Sequence, residues 1–239
     1  WNVNRIQGPE FTTGRLNSET HIAHAAYKAA DWLTATAYGY WMDFDNSASL
    51  SNQTYGVRLT GNTPLCENTT FIYEAEGAWQ IDNGSNPSKY NAWYFHVVPG
   101  VKAYGASLKG GVEYLAGNGT MGFQTPLATL HAFNGWADKF LTTPANGLLD
   151  FYGVASYQFS NINKYVDGIE LVAAYHKFNG DKTGDFGSEI DLSLGKTFKL
   201  SEDMFFKSID FTLKYANYEA DDAPYTDTQK AWAQIGLKF

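Results

Sequence analysis

The sequence predicts an all-β, antiparallel transmembrane β-barrel, with about 11–12 strands in this chain. Three observations carry the prediction. Apolar and polar side chains alternate over many segments near the ~10 residues that cross a bilayer as a tilted strand. Aromatics make up 16% of the 239 residues and glycine contributes 23, while charged residues are only 18%, against roughly 25% in an ordinary globular protein. The connections between the alternating segments differ in length in a regular way. No apolar run approaches the ~18 residues of a membrane-spanning helix. A net charge of −8 argues against a nucleic-acid partner.

Strands are predicted at 20–29, 33–44, 52–61, 71–82, 91–104, 106–117, 148–160, 165–178, 187–199, 204–218 and 228–239, with a twelfth at 1–7. The first of these is ambiguous, because His21 to Lys28 would also suit a helix. In 71–82, Phe71, Tyr73, Ala75, Gly77, Trp79 and Ile81 alternate with Ile72, Glu74, Glu76, Ala78, Gln80 and Asp82. Residues 208–215 set Ile209, Phe211, Leu213 and Tyr215 on one face. The final segment does the same with Ala231, Ala233, Ile235, Leu237 and Phe239.

Short connections are expected at 30–32, 105, 161–164 and 200–203, and long polar ones at 45–51, 83–90, 118–147, 179–186 and 219–227. Outer-membrane barrels have short periplasmic turns and longer extracellular loops, so the long set should face outside. The 62–70 connection is longer than this rule expects. A soluble sandwich would mix its turn lengths and charge one strand face. Here Phe151, Gly153, Ala155, Tyr157 and Phe159, and Ile169, Leu171, Ala173 and Tyr175, form unbroken apolar rows. A sheet in lipid must close its edges. Residues 1–239 therefore read as one outer-membrane barrel domain, closing alone or as the C-terminal part of a larger barrel. The chain starts at Trp1 with no Met and no signal peptide, so it reads as either a processed chain or a fragment whose N-terminal strands are missing, the second being favoured.

The polar strand faces should line the lumen. They carry Arg58, Lys109, Lys214 and Lys238, with Glu74, Glu76, Glu113, Glu170, Glu189, Asp191 and Asp210, and His176. These are the candidate solute-binding residues; the competing reading is that they pair across strands and only hold the wall together. The long 118–147 loop is the other candidate. Leu127, Leu130, Phe133, Trp136, Phe140 and Leu141 would cover one face of a short helix. Such a helix would either enter the pore mouth, bringing His131, Trp136, Asp138 and Lys139, or cap the rim.

Nothing in the sequence points to catalysis or to a cofactor. His21 and His24 fall on opposite strand faces, His96, His131 and His176 are isolated, and no nucleophile-elbow, phosphate-loop or zinc-binding H-E-x-x-H motif occurs. The single Cys66 excludes an internal disulfide, a zinc–cysteine cluster and an iron–sulfur site, and reads as a free thiol in a turn. The acidic stretches 181–185 and 219–222 lack calcium-loop spacing, so no protein metal site is expected; they read as solvated loops or as carriers of cations shared with lipopolysaccharide.

Several blocks together resemble the alginate export family of outer-membrane proteins. The most distinctive is Phe123-Gln124-Thr125-Pro126-Leu127-Ala128-Thr129-Leu130-His131-Ala132-Phe133-Asn134-Gly135-Trp136-Ala137-Asp138-Lys139-Phe140, continuing to Leu148. Val3 to Pro9, Thr54 to Gly61, Tyr175 to Phe178 and Gly187 to Asp191 follow the same family's blocks. The resemblance implies an 18-stranded barrel with about six strands before Trp1, and a Gram-negative bacterial outer membrane. It implies a channel exporting an anionic polysaccharide such as alginate through a basic conduit. It also implies that Phe239, with Leu237 and Ile235, is read by the outer-membrane assembly machinery. The candidate lumen, four basic groups against seven acidic ones, departs from a basic conduit. A general diffusion porin without saccharide preference remains the first alternative, and an outer-membrane enzyme or structural barrel the second. The partners expected are outer-membrane lipid and lipopolysaccharide, the assembly machinery and a polar or anionic saccharide.

Overall fold

The structure is a computed structural model that describes residues 2–4, 15–128, 133–182, 184–201, 203–222 and 224–239. Among these residues it is a twelve-stranded antiparallel meander in which each strand pairs only with its neighbours in sequence. The strands are β1 (Asn2–Asn4), β2 (Arg15–Ala30), β3 (Leu33–Phe44), β4 (Asn52–Cys66), β5 (Thr69–Asp82), β6 (Asn91–Ala103), β7 (Ala106–Leu115), β8 (Leu148–Gln158), β9 (Ile169–Asn179), β10 (Asp185–Lys199), β11 (Ser208–Glu219) and β12 (Thr228–Lys238). Among the described residues β12 does not pair with β1 or β2, so the sheet is not closed among them.

The ambiguous His21–Lys28 segment is a strand, in register with β3 from Ser18 to Ala30. The strand beginning at 52 runs on past Gly61 to Cys66, and Pro64 is accommodated beside a register shift. The expected long 62–70 connection is therefore a tight turn at Glu67–Asn68, which restores the length rule there. Two other turns are longer than expected. Chain 159–168 folds on itself because the Asp167 carboxylate accepts the Ile162 and Asn163 amides, and 200–207 lies outside the strands. The 180–184 connection is in turn shorter than its set.

Register places the two faces as the alternation predicts. Val97, Val112 and Phe151 lie side by side on the outside, as do Leu171, Leu194 and Leu213. All six are exposed, which is the expected state of a surface meant for lipid. On the inner face Arg58, Glu76, His96, Glu113 and Asp150 form one row across five successive strands.

The buried core does not lie between two sheets. It lies between the inner wall and the chain 116–147, where Phe123, Ala137 and Phe140 pack with Leu148, Phe178, Phe186 and Tyr218. Leu127 packs on a smaller cluster of Leu16, Met42 and Phe44. The described part of this loop contains no helix. Asn134, Gly135 and Asp138 have φ of 52°, 87° and 59°, a left-handed backbone that a right-handed helix cannot contain.

A polar recess under the inner loop

Loop residues 134–139 are fastened to the wall by side chains of the inner face. Ala137 N donates to Glu189 Oε1 at 2.6 Å, and Trp136 N lies 3.3 Å from Asp191 Oδ2. Both carboxylates are fully buried. Asn134 Nδ2 donates to Glu113 Oε2 at 2.8 Å and reaches Asp150 Oδ2 at 3.3 Å. Lys230 Nζ donates to Asp138 Oδ2 at 2.9 Å, and Lys139 Nζ to Thr228 Oγ1 at 2.9 Å. Burial, and then the neighbouring Lys230 ammonium, lower the pKa of Lys139 below its ordinary value. Further back, Gln80 and Gln124 exchange bonds, with Gln124 N donating to Gln80 Oε1 at 2.7 Å and Gln80 Nε2 to Gln124 O at 2.8 Å.

Four further contacts seal the seat. The Phe140 ring lies 4.6 Å from that of Phe178 and 5.1 Å from that of Tyr225. Lys214 Nζ sits 4.3 Å from the Trp136 ring centroid and 5.5 Å from that of Trp232, within cation–π range of both.

Beneath the loop the wall leaves a recess of about 500 Å³, with Arg58, Glu74, Glu76, Glu113, Asp150 and His176 on its lining. Arg58 binds Glu74 through two parallel bonds, Nε to Oε1 at 2.8 Å and the second guanidinium nitrogen to Oε2 at 2.7 Å. It also lies 3.7 Å from Glu76, which accepts a bond from the Tyr38 hydroxyl. Tyr94 Oη donates to Glu113 Oε1 at 2.8 Å. His176 Nδ1 lies 2.9 Å from Asp150 Oδ2, and its ring stacks on Tyr152 at 5.3 Å. Tyr152 Oη is 2.7 Å from His96 Nε2. Tyr152 reaches His96 by lying across Gly111, where an added Cβ would stand 2.2 Å from its ring. The guanidinium is thus committed to carboxylates, and four carboxylates outnumber it around one water-accessible space.

All twelve lumen candidates fall on the inner face by register. Arg58, Glu74, Glu76, Glu113 and His176 meet in the recess, while Glu189 and Asp191 hold the loop instead. Asp210 and Lys238 pair at 3.0 Å away from it, and Glu170 and Lys109 line separate depressions near the turns. Of the loop candidates, Trp136, Asp138 and Lys139 bind the wall; His131 lies outside the described residues. His96, read as isolated, joins the recess through Tyr152 and lies 3.7 Å from Glu74. Asp150, Tyr94, Tyr152 and Asn134 were not anticipated. Asp150 alternates correctly on its strand, but only the β8–β9 register brings it to His176. The acidic loops join through Lys177, which lies 2.6 Å from Asp185 and 2.7 Å from Asp221.

No protein-family model matches the sequence. No curated protein matches it either. Solved structures share the fold. Acinetobacter baumannii OccAB2 superposes with a TM-score of 0.67 at 14% identity, over 90% of this chain and 53% of its own. The outer-membrane protein OprD of Pseudomonas aeruginosa gives 0.66 at 13%, over 91% and 58%. P. aeruginosa OccK2 (OpdF), solved in complex with glucuronate, gives 0.67 at 14%, over 95% and 59%. The chain thus spans little more than half the length of these neighbours. They are OprD and Occ porins, not alginate export proteins, and the family resemblance drawn from the 123–148 block is corrected accordingly. The physical reason agrees with the correction: the inner wall is a mixed, locally acidic surface with its arginine neutralised, not a basic conduit. The fold is that of bacterial outer-membrane porins over part of their length: an antiparallel run of sheet with a loop folded onto its polar face.

Proposed function

We propose that this chain builds part of the wall of a porin-type channel, which passes small polar solutes across the outer membrane of a Gram-negative bacterium. The observation that supports this most is the sidedness of the sheet. Its outside is apolar and exposed, and its inside carries a row of ionisable groups with a loop fastened over it. Charge lining a pore sets which ions it favours. Glu74, Glu76, Glu113 and Asp150 surround the recess against Arg58, so the path along this wall favours cations and cationic groups of solutes. In this reading the long connections face outside and the turns face the periplasm.

The test is planar-bilayer recording of the intact protein in a KCl gradient. The expected result is stepwise conductance with a reversal potential on the potassium side, shifted further that way in Arg58→Gln, where a positive charge leaves the recess. Absence of channels, or a chloride-side potential that Arg58→Gln leaves unmoved, would overturn the proposal.

A further inference from the structure

The outer face of β8–β11 is not uniformly filled. Ala155 and Ala173, adjacent in register, sit low between Tyr157, Leu171, Leu192 and Leu194. Together they leave an apolar groove of about 580 Å³ on the surface that faces lipid. The four larger side chains are 39–46% exposed, so the groove is open to the hydrocarbon along its length.

One end of the groove carries positive charge. Lys196 follows Leu194 by two residues on the same face, about 7 Å along the strand. Its ammonium is held at the turn end by neutral acceptors, Lys164 O at 3.2 Å and Tyr165 O, and lies 4.9 Å from the Phe198 ring. Lys164 belongs to the same turn, with its ammonium 5.0 Å from the Tyr165 ring. The nearest acid in that turn, Asp167, is occupied by the Ile162 and Asn163 amides. Glu170 and Asp210 belong to the inner face. Two lysines against one internally bonded carboxylate leave the rim net positive where the groove ends, flanked by exposed Tyr157 and Tyr165. Aromatic rings of that kind sit at the headgroup level of a bilayer.

We infer that this groove and rim form a binding site for one anionic phospholipid, with an acyl chain along Ala155 and Ala173 and the headgroup phosphate at Lys164 and Lys196. The apolar trough supplies contact that does not depend on the headgroup. The lysines supply the preference for negative charge, about fivefold for each ammonium near the surface. A second copy of the chain would fill the trough but would have to bring an acidic rim to match, whereas a phospholipid carries both parts in one molecule. The inference rests on the outer face lying in lipid and not on what the channel conducts.

Native mass spectrometry of the intact protein, with phosphatidylglycerol or phosphatidylcholine added in detergent, tests it. One phosphatidylglycerol should be retained about 25-fold above phosphatidylcholine, about fivefold from each lysine. Lys196→Gln should cut that preference about fivefold, and Ala173→Leu, which fills the trough, should weaken both lipids alike. Both substitutions lie on the exposed outer face, and recovery of heat-modifiable folded protein on gels checks that the barrel forms. Equal retention of the two lipids, unchanged by Lys196→Gln, would overturn the site and leave ordinary annular lipid. A protein dimer lost in Ala173→Leu, with no lipid preference in the wild type, would overturn it in favour of a second copy.

Discussion

Phe140→Ala should release the inner loop from the wall. The ring is 6% exposed and packs on Phe178, Phe186 and Tyr225, so truncation removes the aromatic plug on which the loop's C-terminal half rests. Deleting a buried phenylalanine costs about 3–5 kcal/mol. Every 1.4 kcal/mol is tenfold in an equilibrium, so the detached population should rise roughly a hundredfold or more. Most of that energy fastens the loop and not the ladder, because the strands keep their own backbone bonds. The readouts are limited proteolysis of folded protein in detergent and single-channel recording. New cleavage within 118–147, with larger or noisier conductance, is the expected outcome. Unchanged protease resistance together with unchanged current would show that the loop is not seated by Phe140.

Gly135→Val should act at the other anchor. Gly135 has φ of 87°, and a Cβ there would stand 2.5 Å from Glu189 Oε2. A β-branched residue in that backbone region costs about 1–3 kcal/mol before any clash is counted. The clash falls on the same buried carboxylate that accepts the Ala137 amide. The substitution should therefore loosen residues 134–138 and raise proteolysis at the loop tip. Gly135→Val combined with Glu189→Ala should be less than additive, because the collision disappears while the backbone strain remains. Strict additivity of the two effects on proteolytic protection would remove the carboxylate from this account.

How far the protein can be read from its sequence follows from which interactions are local. Strand placement needs only a period of two, and β5, β10 and β12 show it over most of their length despite Ile72, Lys196 and Trp232, so their faces were legible. The end of β4 was not, because Thr63 and Pro64 break the pattern and proline cannot donate to a ladder. The inner loop misled for a different reason. Leu127, Phe133, Trp136 and Phe140 fall at helix-like spacing, but the buried ones face partners on β3, β9, β10 and β11, and left-handed residues at 134, 135 and 138 turn the chain toward them. Glu189 and Asp191 were recognised as inward-facing acids. Their role as acceptors for loop amides depends on a meeting of segments some fifty positions apart, which alternation cannot reveal. The recess shows the same limit, since Asp150 and His176 need the β8–β9 register and Tyr152 needs the bare backbone of Gly111 to reach His96. The misassigned family came from short blocks, one of which turns out to be this loop.

The polar face of this sheet should line water and its apolar face should meet lipid. Cysteine scanning of β10 tests it most directly, after the exposed native Cys66 is replaced by serine. Single cysteines at Ile190, Leu192, Ser193, Leu194 and Gly195 would be treated with a charged, membrane-impermeant thiol reagent during single-channel recording of the intact protein. Modification with partial current block is expected at 193 and 195, and none at 190, 192 and 194. Equal reactivity on both faces, or block from the leucine positions, would contradict it.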